Sequence, residues 1–243
     1  MIRRPAPTIS IVIPAFNEEK YIGACLKSIL ALKPKNLKEI IVVDNASTDK
    51  TAAVAKKFPG VRVVRESKKG TNAARHRGFL EAKGDLLAYL DADTQVPKGW
   101  FEMIQREFKR DPDLVCLSGP YDFYDLPEWQ QKWVSFWWDA FAVPSYSVMG
   151  YMVVGGNFVA KYKALKKASA FDTDISFYGD DTSIARRLFQ VGTVKYSPKF
   201  RVFTSARRLQ SEGFFKTGAT YAANYLSEAI LKKPAHKKHK DIR

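Results

Sequence analysis

Alternating apolar runs and amphipathic stretches predict the secondary structure of the first 110 residues. Four short apolar runs, rich in branched side chains, predict strands at residues 9–13, 39–43, 61–65 and 86–90. The stretches after them repeat apolar residues every three or four positions, which predicts helices at residues 17–32, 48–58, 70–83 and 97–110. Because buried strands need cover on both faces, this strict alternation predicts an α/β fold with a doubly wound, parallel sheet.

Polar side chains before two of these helices are predicted to cap them. Asn17 precedes the first helix, and Ser47 or Thr48 precedes the second. Asn, Ser and Thr are the residue types whose side chains accept hydrogen bonds from the free N–H groups of a first helical turn. Pro59 and Gly60 are predicted to end the second helix.

The second half of the chain has a less regular pattern. It predicts strands at residues 114–124 and 153–160 and an edge strand at residues 195–204, which Pro198 interrupts. Helices are predicted at residues 127–141, 181–190 and 211–231, followed by a basic tail at 232–243. With no linker in the sequence, we expect a single domain over 1–243, divided into parts at about 9–110, 111–210 and 211–243.

Composition narrows the class of protein. The 243 residues are 46% hydrophobic and 27% charged, which is typical of a globular chain. Two cysteines exclude a disulfide scaffold and a four-cysteine zinc site. The sequence lacks an apolar run of about 20 residues and a secretory signal pattern, so a soluble, cytoplasmic protein is expected.

The net charge of +15 leaves three classes of partner open: nucleic acid, an anionic membrane and an anionic small substrate. Residues 195–243 hold 12 basic and 3 acidic side chains, so most of the excess lies near the C-terminus. Residues 125–194 hold seven of each sign and are neutral. This uneven distribution, without a recognised nucleic-acid-binding motif, argues against nucleic acid.

Two carboxylates, Asp91 and Asp93, directly follow the fourth predicted strand. Residues i and i+2 at a strand end point to the same side, and paired carboxylates repel unless a cation is near. Oxygen ligands suit Mg²⁺ or Mn²⁺, with Gln95 as a further ligand or a supporting residue. Capping of the next helix explains the same residues equally well.

Polar groups at neighbouring positions of the predicted sheet could bind a nucleotide. Asp44 ends the second strand, where a carboxylate can accept from a base N–H or a ribose hydroxyl. Lys69 and Arg75 surround the start of the third helix, where a diphosphate can bind free N–H groups and positive charge. Two alternatives to nucleotide binding remain open. Asp44 could form hydrogen bonds only within its loop, and Lys69 and Arg75 could belong to a solvated basic face.

Several motifs in register resemble family 2 glycosyltransferases. The resemblance is carried by SIVIPAFNEE at 10–19, VVDNASTD at 42–49 and DAD at 91–93. Further on, GGN at 155–157, YGDDT at 178–182 and RRL at 186–188 are similar to the motifs on that family's acceptor side. The resemblance spans about residues 9–208. It implies the GT-A fold, which has a mainly parallel central sheet flanked by helices and a smaller acceptor-side subregion.

The resemblance also implies roles for individual residues. It assigns the nucleotide-sugar pocket to Pro14, Ala15, Asn17, Glu18, Asp44, Lys69, Arg75, Asp91 and Asp93, with Asp93 and Asp91 near the metal. Asp181 takes the position of the catalytic base, and the acceptor side contains Gly155, Gly156, Asn157 and Trp137. Asp180 stands where the family has Glu, so Asp180 and Asp181 both remain candidates for the base. His76 stands where the family often has Asn.

The implied activity is the transfer of one sugar, with inversion, from a nucleoside-diphosphate sugar. A UDP-sugar is the favoured donor, and a GDP-sugar is the second choice. The implied acceptor is a hydroxyl of a glycan or of a lipid-linked glycan, with a polyprenyl phosphate as the alternative. Gln-x-x-Arg-Trp, the motif of processive synthases in this family, is absent from the sequence, which favours single transfer. A nucleotidyltransferase would need a glycine-rich loop where the sequence has Pro14-Ala15-Phe16-Asn17.

An aromatic stripe marks the helix predicted at 127–141. Trp129, Trp133 and Trp137 share one helix face, which is typical of core or of an acceptor-site wall. An interfacial helix at a membrane surface is the alternative, with the basic tail attracted to anionic lipid on the inner face of the membrane.

Overall fold

The computed structural model describes residues 5–174 and 180–213, apart from the side chains of Trp137, Asp180 and Glu212. The strands are β1 Ile9–Ala15, β2 Leu37–Asp44, β3 Val61–Arg65, β4 Leu86–Leu90, β5 Leu114–Ser118, β6 Tyr121–Phe123, β7 Asn157–Lys161, β8 Thr193–Tyr196 and β9 Val202–Thr204. The helices are α1 Ile22–Ala31, α2 Thr51–Ala55, α3 Thr71–Glu81, α4 Trp100–Arg110, α5 Glu128–Trp137, α6 Val143–Met149, α7 Tyr162–Lys167, α8 Asp180–Phe189 and α9 Arg207–Glu212.

Seven strands form one central sheet in the order β3-β2-β1-β4-β7-β5-β8. β7 runs antiparallel to both of its neighbours, and the other pairings are parallel. β6 and β9 form a small second sheet. The predicted mainly parallel α/β sheet is therefore confirmed, with one strand of opposite direction inserted beside β4.

Both faces of the central sheet are buried, as the continuous apolar strands require. Along β1, Ile11 and Ile13 face a core that α1 and α4 cover. Val12 faces the opposite core, to which α3, α7 and α8 contribute. Each fully buried branched side chain stabilises the fold by roughly 1.5–3 kcal/mol. The two cores hold the strands in register and so fix the positions of the residues that follow each strand.

The predicted helix caps were wrong. The first residue of α1 is Ile22, and the Asn17 side chain instead accepts a hydrogen bond from the Thr48 N–H (2.9 Å), which ties the loop after β1 to the loop after β2. α2 begins at Thr51, and its N–H donates to Asp49 (2.9 Å). Asn17 has a φ of 53°, which removes it from helical geometry.

Several predicted elements are divided in the structure. The strand expected at 114–124 breaks before Pro120, which cannot donate to a ladder, and the one at 195–204 breaks around Pro198. The helix expected at 127–141 continues through a π-helical turn, Trp138–Ala142, into α6. α9, Arg207–Glu212, overlaps only the first two residues of the helix expected at 211–231, and residues 214–243, with the rest of that prediction and the basic tail, lie outside the described residues.

Candidate functional site

The carboxyl ends of adjacent parallel strands bring the predicted site residues to one edge of the sheet. β1 lies between β2 and β4, and all three run in the same direction. Ala15 pairs with Asp44 at the end of the β1–β2 ladder, and Asp91 follows the last residue of β4. Ligands of open α/β sheets bind at this edge, in the crevice between neighbouring strand ends.

A buried arginine lies between two of the predicted carboxylates. Arg75, on α3, is 3% exposed, and its Nη1 donates to Oδ1 of Asp181 at 3.0 Å. Its Nη2 lies 3.8 Å from Oδ1 of Asp91. The fold thus brings together three residues from distant parts of the sequence. Their charges offset one another, because the two partly exposed carboxylates would repel each other without the cation between them.

Asp181 has a hydrogen-bond partner for each carboxylate oxygen. Oδ1 accepts from Arg75, and Oδ2 accepts from the Gly155 N–H at 2.8 Å. Burial raises the pKa of Asp181, Arg75 opposes that rise, and the nearby charge of Asp91 adds to it. The backbone of Asp180 lies in α8, but its side chain is outside the described atoms, so its role as the alternative base stays a prediction.

The two glycines before β7 lie against the carboxylates rather than forming an open wall. The Gly156 N–H donates to the Tyr121 hydroxyl at 2.6 Å, and that hydroxyl donates to Asp91 at 3.4 Å. A Cβ on Gly155 would overlap the Asp181 carboxylate and the Arg75 guanidinium, and one on Gly156 would overlap Asp91 and Tyr121. Only glycine permits the backbone to approach these charged groups so closely.

Asp93 has a different set of partners from Asp91. Its Oδ2 lies 3.0 Å from Nη2 of Arg207, and its Oδ1 accepts from the Thr204 hydroxyl at 3.1 Å. The same Nη2 donates to Oε1 of the buried Glu18 at 2.5 Å. Burial raises the pKa of Asp93 to about 6, with Arg207 opposing the rise and Asp91 and Glu18 adding to it.

Arg207 is a site residue that the sequence did not reveal. The sequence offered only a basic segment near the C-terminus, and Arg207 follows β9 with no spacing that links it to Asp93. The fold brings the two residues together because Thr204, at the end of β9, contacts the turn after β4. A contact across 114 positions of sequence leaves no local pattern.

The acidic residues at this edge fit a hard divalent cation. Asp91 and Asp93 supply oxygen atoms, and because burial raises the pKa of Asp93, a cation beside it would favour its ionised form. Arg207 already supplies one cationic group there. Within residues 5–174 and 180–213, no three acidic, histidine or cysteine side chains form a closed metal cluster, so such an ion would complete its shell with other oxygens.

Gln95, predicted as a further metal ligand, is fixed through its backbone. Its N–H donates to the Phe203 carbonyl at 2.7 Å, and its carbonyl accepts from the Phe203 N–H at 2.9 Å. This pairing attaches the turn after β4 to β9. A ligand role for its side chain stays a prediction.

The residues predicted for the nucleotide lie around the ends of β1 and β2. Pro14 and Ala15 form the last pairs of the β1–β2 ladder. Oδ1 of Asp44 accepts from the Ser47 N–H at 3.2 Å, which is the loop role considered as its alternative and leaves Oδ2 for a ligand. Nζ of Lys69 lies 5.2 Å from the ring centre of Phe16, a cation–π distance. Phe16 is thus an aromatic surface at this edge that had no predicted role.

Asn157, one of the residues predicted for the acceptor, is enclosed in the interior of the protein. Asn157 is fully buried, and its Nδ2 donates to the carbonyls of Gly119 (3.1 Å) and Phe200 (2.5 Å). We therefore interpret Asn157 as a brace behind the site, a correction to its expected place on the acceptor wall. The side chain of Trp137 is outside the described atoms, while Trp129 and Trp133 are more than half exposed.

Known proteins similar to this chain share both its motifs and its fold. The glycosyl transferase family 2 model matches residues 10–169. Among curated relatives, glycosyltransferase AglE of Haloferax volcanii is 33% identical over 102 residues, which are 40% of this chain and 34% of the relative. Glycosyltransferase GlyG of Streptococcus pneumoniae is 34% identical over 123 residues, which are 48% and 40% of the two chains. The matches thus span about a third to two fifths of these relatives.

Solved structures resemble the fold over nearly the whole chain. A mannosyltransferase from Pyrobaculum calidifontis in complex with GDP-Man and Mn²⁺ has a TM-score of 0.68 at 19% identity, covering 94% of this chain and 64% of that one. The 1–349 fragment of S. aureus TarS in complex with UDP has a TM-score of 0.64 at 15% identity, covering 91% and 71%. By its motifs and its fold, the chain belongs to glycosyl transferase family 2, with the GT-A architecture.

Proposed function

We propose that this chain transfers one sugar, with inversion, from a nucleoside-diphosphate sugar to a hydroxyl of a glycan or lipid-linked glycan. The observation that carries the proposal is the convergence of Asp44, Asp91, Asp93 and Asp181 on one sheet edge, with Arg75 between two of them. The part at 9–110 binds the sugar nucleotide, and the part at 111–210 binds the acceptor. UDP is the favoured nucleotide and GDP the second choice.

The surroundings of the strand ends suit a sugar nucleotide. Asp44 offers one carboxylate oxygen to a base or ribose, and Phe16 offers an aromatic face beside the cation of Lys69. The N-terminus of α3 and Lys69 together attract a diphosphate. The relatives crystallised with GDP-Man or UDP support this class of ligand.

A bound Mg²⁺ or Mn²⁺ would be held by Asp93 and Asp91, where it would neutralise charge developing on the leaving diphosphate. Asp93 is the stronger candidate, because its carboxylate is less exposed than that of Asp91 and a cation there would be better shielded from solvent. Mn²⁺ in the mannosyltransferase complex supports a divalent cation. Side chains of this chain would orient the reacting groups and accept the proton of the acceptor.

In the proposed reaction the acceptor oxygen bonds to the anomeric carbon as the bond from that carbon to the diphosphate oxygen breaks. The electron pair of the broken bond leaves with the nucleoside diphosphate. The acceptor hydroxyl must give up its proton, and Asp181 or Asp180 receives it. The raised pKa of Asp181 suits a proton acceptor, and Arg75 keeps its carboxylate oriented.

A second candidate is transfer to an ionised phosphate acceptor such as a polyprenyl phosphate. The observation in its favour is that both oxygens of Asp181 are already hydrogen-bonded, to Arg75 and to the Gly155 N–H. An acceptor that is already an anion needs no base, so Asp181 would then serve to hold Arg75. The two candidates differ in how much activity the Asp181→Asn variant retains.

A lipid-linked acceptor would also require contact with a membrane surface. Trp129, Trp133 and Phe136, all on α5, are each more than half exposed. Aromatic side chains of this kind partition into the headgroup region of a bilayer. No helix within the described residues has the length and apolarity to cross a membrane. The protein should therefore sediment together with liposomes of anionic lipid at low salt. Absence of binding would contradict peripheral attachment to a membrane.

The donor is tested by thermal shift with a panel of UDP- and GDP-sugars, each with Mn²⁺ or with EDTA. A true donor raises the melting temperature in a cation-dependent way, because ligand binding stabilises the folded state. A binding assay with single-stranded and duplex nucleic acid tests the remote alternative suggested by the +15 charge. Nucleic-acid binding without any response to sugar nucleotides would overturn the proposal.

A further inference from the structure

One guanidinium nitrogen lies between the two acidic side chains at the proposed cation site. Nη2 of Arg207 is 2.5 Å from Oε1 of Glu18 and 3.0 Å from Oδ2 of Asp93. Glu18 is 2% exposed, and the side chain of Asp93 is 11% exposed. Arg207 therefore supplies positive charge to two carboxylates that are largely withdrawn from solvent.

We infer that Arg207 is an internal cation that closes the metal position, and that a divalent cation binds Asp93 by displacing it. This inference rests on the proposed cation-dependent transfer. It adds to that proposal a competition between the Arg207 side chain and the metal ion for Asp93.

Competition follows from the oxygen atom that both cations need. The Thr204 hydroxyl already donates to Oδ1 of Asp93, so Oδ2 is the oxygen that faces Arg207. Mg²⁺ binds carboxylate oxygen at about 2.0–2.1 Å. A cation held that close to Oδ2 would lie within about 5 Å of Nη2, and two positive charges at that separation repel each other in a site that is little exposed.

Displacement requires only the side chain of Arg207 to turn. Asp125 accepts hydrogen bonds from the Ala206 N–H and the Ser205 hydroxyl, each at 2.6 Å, which anchors the backbone immediately before Arg207. The guanidinium carbon also lies 4.6 Å from the ring centre of Tyr21, a contact that the side chain makes apart from Asp93. The helix can therefore stay in place while the side chain leaves Asp93.

Isothermal titration of Mn²⁺ into the nucleotide-free protein tests the competition. If Arg207 occupies the site nine-tenths of the time, it weakens the apparent affinity about tenfold. The Arg207→Gln variant should therefore bind Mn²⁺ about tenfold more tightly than the wild type. Equal or weaker binding by the variant would overturn the inference.

Arg201→Gln is the matched control. Arg201 also contacts two carboxylates, Asp122 at 2.7 Å and Asp139 at 3.7 Å. Its side chain is 25% exposed, against 22% for Arg207. Loss of this arginine removes the same charge away from Asp93, so its Mn²⁺ affinity should stay within twofold of the wild type. A tightening equal to that of Arg207→Gln would mean that overall charge causes the effect.

A second measurement uses the wild-type protein and separates displacement from simple attraction. The Nε–H resonance of Arg207, assigned through the Arg207→Lys variant, should move toward that of a solvent-exposed arginine as Mg²⁺ is added. An unchanged resonance at saturating Mg²⁺ would overturn the inference, even if Arg207→Gln does not fold. Failure of the wild type and the variants to bind either cation, with or without UDP, would instead contradict the proposed metal-dependent function.

Discussion

Replacing Gly155 by alanine should damage the site through a single added carbon atom. The new Cβ would overlap the Asp181 carboxylate and the Arg75 guanidinium, which are already in contact with the backbone there. Overpacking of this kind costs about 1–3 kcal/mol. Weakening of the buried hydrogen bond from the Gly155 N–H to Asp181 adds about 1–3 kcal/mol.

We therefore expect the free energy of unfolding to fall by about 2–6 kcal/mol in Gly155→Ala. For a chain of this length, each kcal/mol lowers the melting temperature by about 2–4 °C, so the loss should be about 4–24 °C. Gly23→Ala is the control: its Cβ would meet side chains of Phe58 and Val54 only at an ordinary 3.8 Å. Because Gly23 lies within α1, alanine there should stabilise the helix by about 0.5–1 kcal/mol.

The cause is checked by combining the substitution with Asp181→Ala, followed by chemical denaturation of all four proteins. Removing the carboxylate makes room for the new Cβ. In the Asp181→Ala protein, Gly155→Ala should therefore lower the free energy of unfolding by at least 1 kcal/mol less than it does in the wild type. Equal costs in the two backgrounds, or wild-type stability for Gly155→Ala alone, would refute the close packing described between Gly155 and Asp181.

Three other substitutions give distinct outcomes. Asp93→Asn should weaken Mn²⁺-dependent binding of the sugar nucleotide at least tenfold by calorimetry, and unchanged binding would remove Asp93 from the cation site. Asp181→Asn should lower kcat about 10²–10⁴-fold with a hydroxyl acceptor, whereas a loss below tenfold would favour a phosphate acceptor. The hydrogen bond from Arg62 lowers the pKa of Glu81, so the stability it contributes is present above pH 4.5 and is lost as pH falls through the lowered value. Glu81→Gln should therefore unfold more readily than the wild type in urea at pH 7, with the difference shrinking toward pH 3; a pH-independent difference would contradict that linkage.

The sequence predicted the sheet well where local pattern and burial agree. β1, β4 and the 40–43 part of β2 are runs of buried and mostly apolar residues, and their order along the chain predicted the edge at which Asp44 and Asp91 lie. The antiparallel insertion of β7 between β4 and β5 had no such local signal, because strand direction depends on how the connection folds back. The caps failed because loop-to-loop bonds such as Asn17 with Thr48 competed with helix capping.

Within the site, the sequence identified charged side chains more readily than their partners. Aspartates at strand ends stand out by type and position, whereas the dependence of Asp181 on the Gly155 N–H is a backbone contact that residue identity does not encode. Asn157 was misplaced because an asparagine beside a motif is as suited to bracing carbonyls as to facing a ligand. Arg207 could not be paired with Asp93 before the fold was known.

The most direct test of the proposed function is calorimetric titration of UDP and of GDP into the wild-type protein, in Mn²⁺ and in EDTA. We predict that one of the two nucleotides binds at least tenfold more tightly with Mn²⁺ than with EDTA, because the cation links Asp93 to the diphosphate. Absence of binding by both nucleotides in both conditions would contradict the assignment of this sheet edge as a sugar-nucleotide site.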